Sequence, residues 1–453
     1  MVHWPQQSIF YHVYPLGMTG APARNDFSAP PQARLDQLEP WLEHIQSLGI
    51  NALYLGPIFE STAHGYDTAD YYHVDRRLGG DEAMLRFSQA VQARGMRLVL
   101  DGVFNHVGRD FWAFRDVQQH GMQSPFCSWF ANLRFDGRSP YGDPFQYEGW
   151  SGHYSLVKLN LQHSDVRAHL FGAVKSWMDQ YSINGLRLDA ADCLDLGFIH
   201  ALNVFCRAQN SDFWLMGEIV MGDYRRWLGE GMLDSVTNYE TYKGLFSSFV
   251  DVNFFEIAYA LNRQSGRDGI YRPWDLYTFV DNHDVDRVSS RLSNPAHLFP
   301  LYLLLLTMPG VPSIYYGSEW GLTGRKTPTS DAPLRPQLDL WKMRDHAPQP
   351  ALPAALRRLT ALRRGSPALQ EGDYLQLGVS HQQFVFGREQ RGEQVLVMVN
   401  AAPGVAALEF DLPDGWQGIW DEQLNGEEML SLTGRRAKLT APGCWGRVLR
   451  RRG

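Results

Sequence analysis

The sequence has little of what marks disulfide scaffolds, exported proteins, membrane spans or nucleic-acid binders. Cysteine is scarce, with only Cys127, Cys193, Cys206 and Cys444 in 453 residues. Cys193 and Cys206 lie thirteen apart, which matches no zinc-ligand pattern, so all four are expected to be free thiols. The N-terminus, Met1-Val2-His3-Trp4-Pro5-Gln6-Gln7, has no basic stretch and no apolar run, so no signal peptide is visible. The longest apolar stretch, around Leu301–Met308, is too short to span a bilayer. Positive charge is not in excess. Lys and Arg number 42 against 49 Asp and Glu, a net charge of -7 that disfavours nucleic acid as a partner. These absences predict a soluble, cytoplasmic protein without membrane contact. Arg450-Arg451-Arg452 is expected to be a solvated tail.

Apolar residues make up 44% and charged residues 20%, so the chain can build a sizeable core. The length suits a large barrel of ~250 residues before insertions, plus a smaller module. Short apolar runs recur with helix-sized segments between most of them. They are Ile9–Tyr14, Asn51–Leu55, Arg97–Asp101, Gly185–Asp189, Phe213–Glu218, Leu233–Thr237, Leu276–Asp281 and Pro312–Tyr316. Eight strands alternating with helices predict a parallel (β/α)8 barrel, assigned here to residues 1–106 and 161–366. Residues 107–160 show no clear helix but much Gly, Pro, Asp and aromatic, and are expected to form an inserted subdomain over one barrel face. After a helix near Leu356–Arg364 the period changes to two. Residues 367–453 are expected to form an antiparallel β-sandwich.

Several strands end in charge. The third ends in Asp101, followed by Asn105-His106. The fourth holds Arg187 and ends in Asp189, and the fifth ends in Glu218. The seventh ends in Asp281, followed by Asn282-His283-Asp284. The C-terminal strand ends of a parallel barrel converge on one face, so Asp101, Asp189, Glu218 and Asp284 should share a pocket with Arg187, His106 and His283. Crowded carboxylates push one another's pKa values apart, which suits acid-assisted displacement at an acetal carbon. Arg187 and Asp189 sit two apart on a strand and share a face, so Arg187 is expected to keep Asp189 ionised. Aromatic content is 13%. These rings either fill the core or line a site for a flat, mostly neutral ligand. In the insertion, Trp112, Trp129, Tyr147 and Trp150 are open to either role.

Asp101-Gly-Val-Phe-Asn-His106, Gly185-Leu-Arg-Leu-Asp189, Gly217-Glu218-Ile219, Phe279-Val-Asp-Asn-His-Asp284 and Gly310-Val-Pro-Ser-Ile-Tyr-Tyr-Gly317 resemble, in order, signatures of the α-amylase family of glycoside hydrolases. The resemblance implies a retaining α-glucan hydrolase acting on α-1,4 bonds of maltooligosaccharides, cyclodextrins, pullulan or starch. It makes Asp189 the nucleophile, Glu218 the acid/base and Asp284 the third carboxylate. It implies substrate-binding roles for Asp101, His106, Arg187 and His283, for Tyr66 in His64-Gly-Tyr-Asp-Thr-Ala-Asp70, and for Asp331 with Arg335. A transglycosylase, or a sucrose- or trehalose-active relative, would use the same site.

Val157-Lys-Leu-Asn160, Leu188–Asp195 and Leu233–Tyr239 are similar to stretches of the neopullulanase, cyclomaltodextrinase and maltogenic amylase group. Three departures stand out. The N-terminal β-domain common in that group is not expected here, because the first strand run begins near Ile9. Ile219-Val220-Met221 stands where the relatives usually have a Trp. Asp192-Cys193 replaces the Lys-His pair of calcium-dependent amylases, and although Asn105 matches a family calcium ligand, these residues do not support a bound ion. No cofactor is expected to be required.

Overall fold

The computed structural model describes Trp4–Arg452. Eight short parallel strands form its centre. They are β1 (Phe10–Val13), β2 (Ala52–Leu55), β3 (Arg97–Gly102), β4 (Gly185–Leu188), β5 (Trp214–Gly217), β6 (Ser235–Val236), β7 (Tyr277–Phe279) and β8 (Val311–Tyr315). Each pairs with its sequence neighbour apart from β6 and β7, and β1 also pairs with β8. The parallel bridge Thr237–Tyr277 joins β6 to β7 and closes the ring. The chain is therefore the expected (β/α)8 barrel.

Side-chain alternation sorts the strands into two cores. Phe10, Tyr54, Val99, Trp214, Met216, Tyr277, Phe279 and Val311 pack inside the barrel, and Trp4 lies against Phe10 and Trp214 at one end. Leu53, Leu55, Leu98, Leu100, Leu186, Leu188 and Leu215 point outward into the helical layer. Both faces are covered, so the strands read as nearly unbroken apolar runs rather than as polar–apolar alternation. One connection lacks an α-helix. Between β5 and β6 the described residues form only a 3-10 turn at Tyr224–Arg226.

The insertion follows β3. Its three-stranded antiparallel sheet is made by His106–Gly108, Gly149–Trp150 and His153–Lys158. It also contains the helix Trp112–His120, which the sequence reading did not assign. That helix buries Ala113, Phe114 and Val117, a stripe too short for periodicity to stand out among the surrounding aromatic and turn residues.

The C-terminal module has strands β9 (Asp373–Val379), β10 (Gln383–Gln390), β11 (Glu393–Asn400), β12 (Ala406–Asp411), β13 (Gly418–Glu422), β14 (Met429–Leu432), β15 (Arg436–Ala441) and β16 (Trp445–Arg451). Six form one sheet in the order β9-β10-β11-β16-β13-β14, and β12 pairs with β15. The central strand β11 is buried on both sides. Leu396 and Met398 face the β12–β15 pair, while Val395, Val397 and Val399 belong to the core shared with the barrel helices. Among the described residues no helix is long and apolar enough to cross a membrane.

Two buried guanidiniums cap one barrel helix, and the second of them joins the module to the barrel. Arg363 donates to the carbonyls of Leu306, Met308 and Gly310 at 3.1, 3.2 and 2.6 Å. Arg388 of β10 donates to those of Thr307, Leu369 and Gly372. Together they satisfy carbonyls at the C-terminal end of the helix Leu298–Thr307, where the helix dipole favours a cation. Arg363→Met would leave acceptors unpaired, at about 1–3 kcal/mol for a buried unsatisfied group. Its thermal midpoint should fall by several degrees. Turnover by the folded fraction should not change, because Gly310 leads into β8 at the end opposite the mouth. A calorimetric scan paired with an activity assay checks both parts.

Candidate active site

Parallel register places the charged residues at one end of the barrel. Asp101 on β3 lies directly beside Arg187 on β4. Asp189 directly follows β4, and its N–H bonds Gly102 O at 3.1 Å. Glu218 directly follows β5, and its N–H bonds Leu188 O at 2.9 Å. The backbone ladder thus continues past the last strand residues and fixes both carboxylates. Ala190 then turns the chain in the left-handed region, at φ 44° and ψ 45°. That conformation is costly for a residue with a Cβ, by about 1–3 kcal/mol. It aims the Ala190 N–H at Glu218 Oε2, 3.1 Å away.

Arg187 is buried, and its guanidinium organises the site. Nη1 reaches Asp101 Oδ1 and Oδ2 at 2.8 and 3.0 Å, and Asp189 Oδ1 at 2.8 Å. Nη2 lies 2.8 Å from Glu218 Oε2. Asp101 is sealed from solvent. Tyr54 and Tyr66 donate their hydroxyls to its Oδ2 at 2.9 and 3.1 Å. It therefore acts through Arg187 and Tyr66 and does not reach the pocket surface. His106 Nε2 lies 3.9 Å from Asp189 Oδ2 and has no hydrogen-bond partner.

A second cluster faces the first. Asp284 Oδ2 is 3.0 Å from His283 Nε2, and Asp284 Oδ1 is 2.8 Å from Arg335 Nη2. The same guanidinium nitrogen lies 3.3 Å from Asp331 Oδ2, and Arg335 Nε donates to His283 O at 3.0 Å. Tyr66 hydrogen-bonds the His283 ring, which lies nearly parallel to Tyr66 and to Tyr14. The Tyr66 loop turns through Gly65 at φ 87°, where a Cβ would overlap Pro57. The structure thus brings together Tyr66, Asp101, His106, Arg187, Asp189, Glu218, His283, Asp284, Asp331 and Arg335.

Burial and charge set different proton affinities. Burial raises Asp189 well above the ordinary carboxylate range against the pull of Arg187, and the Glu218 charge adds to the rise. Burial likewise raises Glu218, again opposed by Arg187 and reinforced by Asp284. The two carboxyls titrate as a pair, so Arg187 alone does not set the charge on Asp189, as the sequence had suggested. Asp284 goes the other way. Against burial, His283 and Arg335 hold it well below the usual range. Burial pushes His106 down to about 3, so it is neutral at pH 7.

Four further side chains complete the floor and were not singled out in the sequence. They are His12, Tyr14, Tyr54 and Tyr239. His12 stacks on Tyr54 with centroids 4.2 Å apart and meets the His283 ring edge-on. Burial, with His283 and Arg187 adding, keeps it neutral. Tyr239 accepts from Asn282 Nδ2 at 3.1 Å. The inward parity of β1 and β2 was the available signal for His12 and Tyr54. Asp281 lies outside the pocket, bonded to Ser318 Oγ and the Val288 N–H. Asn105 leaves Oδ1 buried and unpaired. Among the described residues, no group of three or more His, Cys, Asp or Glu side chains could hold a metal ion. One amide oxygen does not make a calcium site, which needs 6–8 oxygens, so no step is derived through a metal.

A barrel carrying clustered carboxylates and guanidiniums at the C-terminal strand ends is the framework of an acid–base enzyme. Residues 35–352 match the alpha amylase catalytic-domain family. The chain is 29% identical to neopullulanase 2 of Thermoactinomyces vulgaris, over 98% of this chain and 78% of that protein. It is 28% identical to a cyclomaltodextrinase of a Bacillus species, over 88% and 73%. The solved debranching enzyme of Nostoc punctiforme superposes with a TM-score of 0.81 at 28% identity, covering 99% of both chains. The chain belongs to the α-amylase family of glycoside hydrolases.

Asp101→Asn keeps the volume but removes the sealed countercharge of Arg187. Breaking one partner of a buried pair costs about 3–5 kcal/mol, and ~3 kcal/mol felt at the transition state is roughly 100-fold in rate. Steady-state assays should show at least that loss in kcat, and a wild-type kcat would contradict the arrangement.

Proposed function

We propose that the protein is a retaining hydrolase of α-1,4-glucosidic bonds in maltooligosaccharides, cyclodextrins, pullulan or starch. The observation that carries this reading is the shared guanidinium. Arg187 holds Asp189 through Oδ1 and Glu218 through Oε2, so the two carboxyls face one small space. A retaining pair works at a separation of about 5–5.5 Å, and carboxyls bridged by one guanidinium suit that spacing. Relatives named neopullulanase and cyclomaltodextrinase support the substrate class.

The occupied oxygens divide the work. With Oδ1 held, Asp189 Oδ2 is the oxygen that attacks the anomeric carbon. With Oε2 held by Arg187 and the Ala190 N–H, Glu218 Oε1 carries the proton to the leaving oxygen. The C–O bond to the leaving sugar breaks as the bond to Asp189 forms. Glu218, now ionised, takes a proton from water, and the resulting nucleophile cleaves the glycosyl ester and releases Asp189. Asp284, kept ionised by His283 and Arg335, stabilises the positive charge that develops on the sugar ring. The neutral His106 and the Tyr66–His283 pair offer donors and an apolar face to the same glucose.

Asp189→Asn and Glu218→Gln should fold normally and lose nearly all turnover, while near-wild-type activity in either would refute the assignment. The active form needs Asp189 ionised and Glu218 protonated. The kcat/KM profile should therefore be bell-shaped. Its acid limb appears where the pair takes up a second proton, and its alkaline limb where Glu218 loses its own. Because burial raises both groups, both limbs should lie above the ordinary carboxylate range. A product time course on maltoheptaose, β-cyclodextrin, pullulan and starch resolves bond preference and separates hydrolysis from glycosyl transfer.

A further inference from the structure

The two sides of the pocket differ in chemistry. The side built by Tyr14, Tyr66, His283, Asp284 and Arg335 is dense with rings and charge. The opposite side follows the acid. Leaving Glu218, the chain runs through buried Ile219 to exposed Val220 and Met221, neither of them aromatic. The turn after the nucleophile packs here too, because Ala191 N–H bonds Glu218 O at 3.1 Å and carries Cys193 on the same side. An acid protonates the oxygen of the departing sugar, so this side faces the leaving group.

One ring reaches it from the insertion. Trp150 ends the strand Gly149–Trp150, and Ser151 and Gly152, at φ 48° and 81°, form a tight turn into His153–Lys158. Residues with positive φ at both turn positions match the twist of a two-residue hairpin. Gly149 permits the close approach, since a Cβ there would lie 2.6 Å from His153 O. The hairpin is anchored to the pocket, because His106 pairs with Lys158 in the same small sheet. The Trp150 ring lies 5.5 Å from the His106 ring and is partly exposed. Its indole N–H is buried and points at the Cys193 thiol, while the ring itself is partly exposed. Trp112 is exposed but packs among Phe126, Trp129 and His169, while Trp129 and Tyr147 are buried. Trp150 therefore stands apart as a partly exposed indole ring beside the reacting centre.

We infer that Trp150 is the platform for the leaving-group sugar and sets acceptor specificity, a role the Val220–Met221 segment cannot fill by stacking. The inference rests on the hydrolase reading above. A pyranose offers an apolar face that can stack on the ring.

The test compares substrates with and without a sugar leaving group. Wild type, Trp150→Ala and Trp150→Phe are assayed on maltotetraose and on α-maltosyl fluoride. Trp150→Ala should lower kcat/KM on maltotetraose at least tenfold and leave the fluoride within threefold. Trp150→Phe should recover part of the loss, because it restores a smaller ring for stacking. Equal losses on both substrates, or no loss on maltotetraose, would overturn the assignment. Wild-type protein inactive on both substrates would instead remove the hydrolase reading, and this inference with it.

Discussion

The site depends on one buried guanidinium. Arg187 is in contact with Asp101, Asp189 and Glu218, and its buried charge needs the countercharge that these anions supply. Asp101 meets that need from below. It is closed to solvent, and its remaining acceptor capacity is taken by Tyr54 and Tyr66. The anions above Arg187 are then free to do chemistry. With Asp284, Asp331 and Arg335 included, five carboxyls share two guanidiniums. Full ionisation would leave unbalanced negative charge, so burial favours a proton on the Asp189–Glu218 pair. A carboxyl that holds its proton above the ordinary carboxylate range follows from that imbalance.

The barrel supplies what this arrangement requires. Adjacent parallel strands place Asp101 opposite Arg187 without any loop, and the ladder extends one residue further to fix Asp189 and Glu218. The left-handed Ala190 is the strained position in this stretch, and it spends its N–H on the acid. Loops build the opposite wall, and these are braced in turn. Arg287 donates to Tyr316 O and Leu334 O, tying the segment after β7 to the one after β8 that carries Asp331 and Arg335. The insertion is pinned through His106, so its hairpin moves with the catalytic face.

Much of this was legible beforehand. All eight strands stood out as apolar runs because both faces of a parallel barrel are buried, and Asp101, Asp189 and Glu218 stood out because each closes such a run, with Asp284 three residues past the end of the seventh. What the sequence hid was direction. His12 and Tyr54 look like ordinary core residues until strand parity turns them toward the pocket. Tyr239 begins a helix and reaches the site only because the barrel closes between β6 and β7. The helix Trp112–His120 was masked by its aromatic neighbours. Asp101 read as a pocket acid and proves to be a sealed support, since the distinction depends on two tyrosine hydroxyls from elsewhere in the chain. Trp112, Trp129, Tyr147 and Trp150 were equivalent in sequence, and their burial separates them.

The central claim is that Asp189 attacks the sugar while Glu218 protonates the leaving oxygen, so the bond is replaced twice. The most direct measurement is the anomeric configuration of the first reducing end released from maltoheptaose, followed by proton NMR before mutarotation. Two displacements predict the α-anomer. A β-anomer as first product would mean a single displacement by water and would contradict the account.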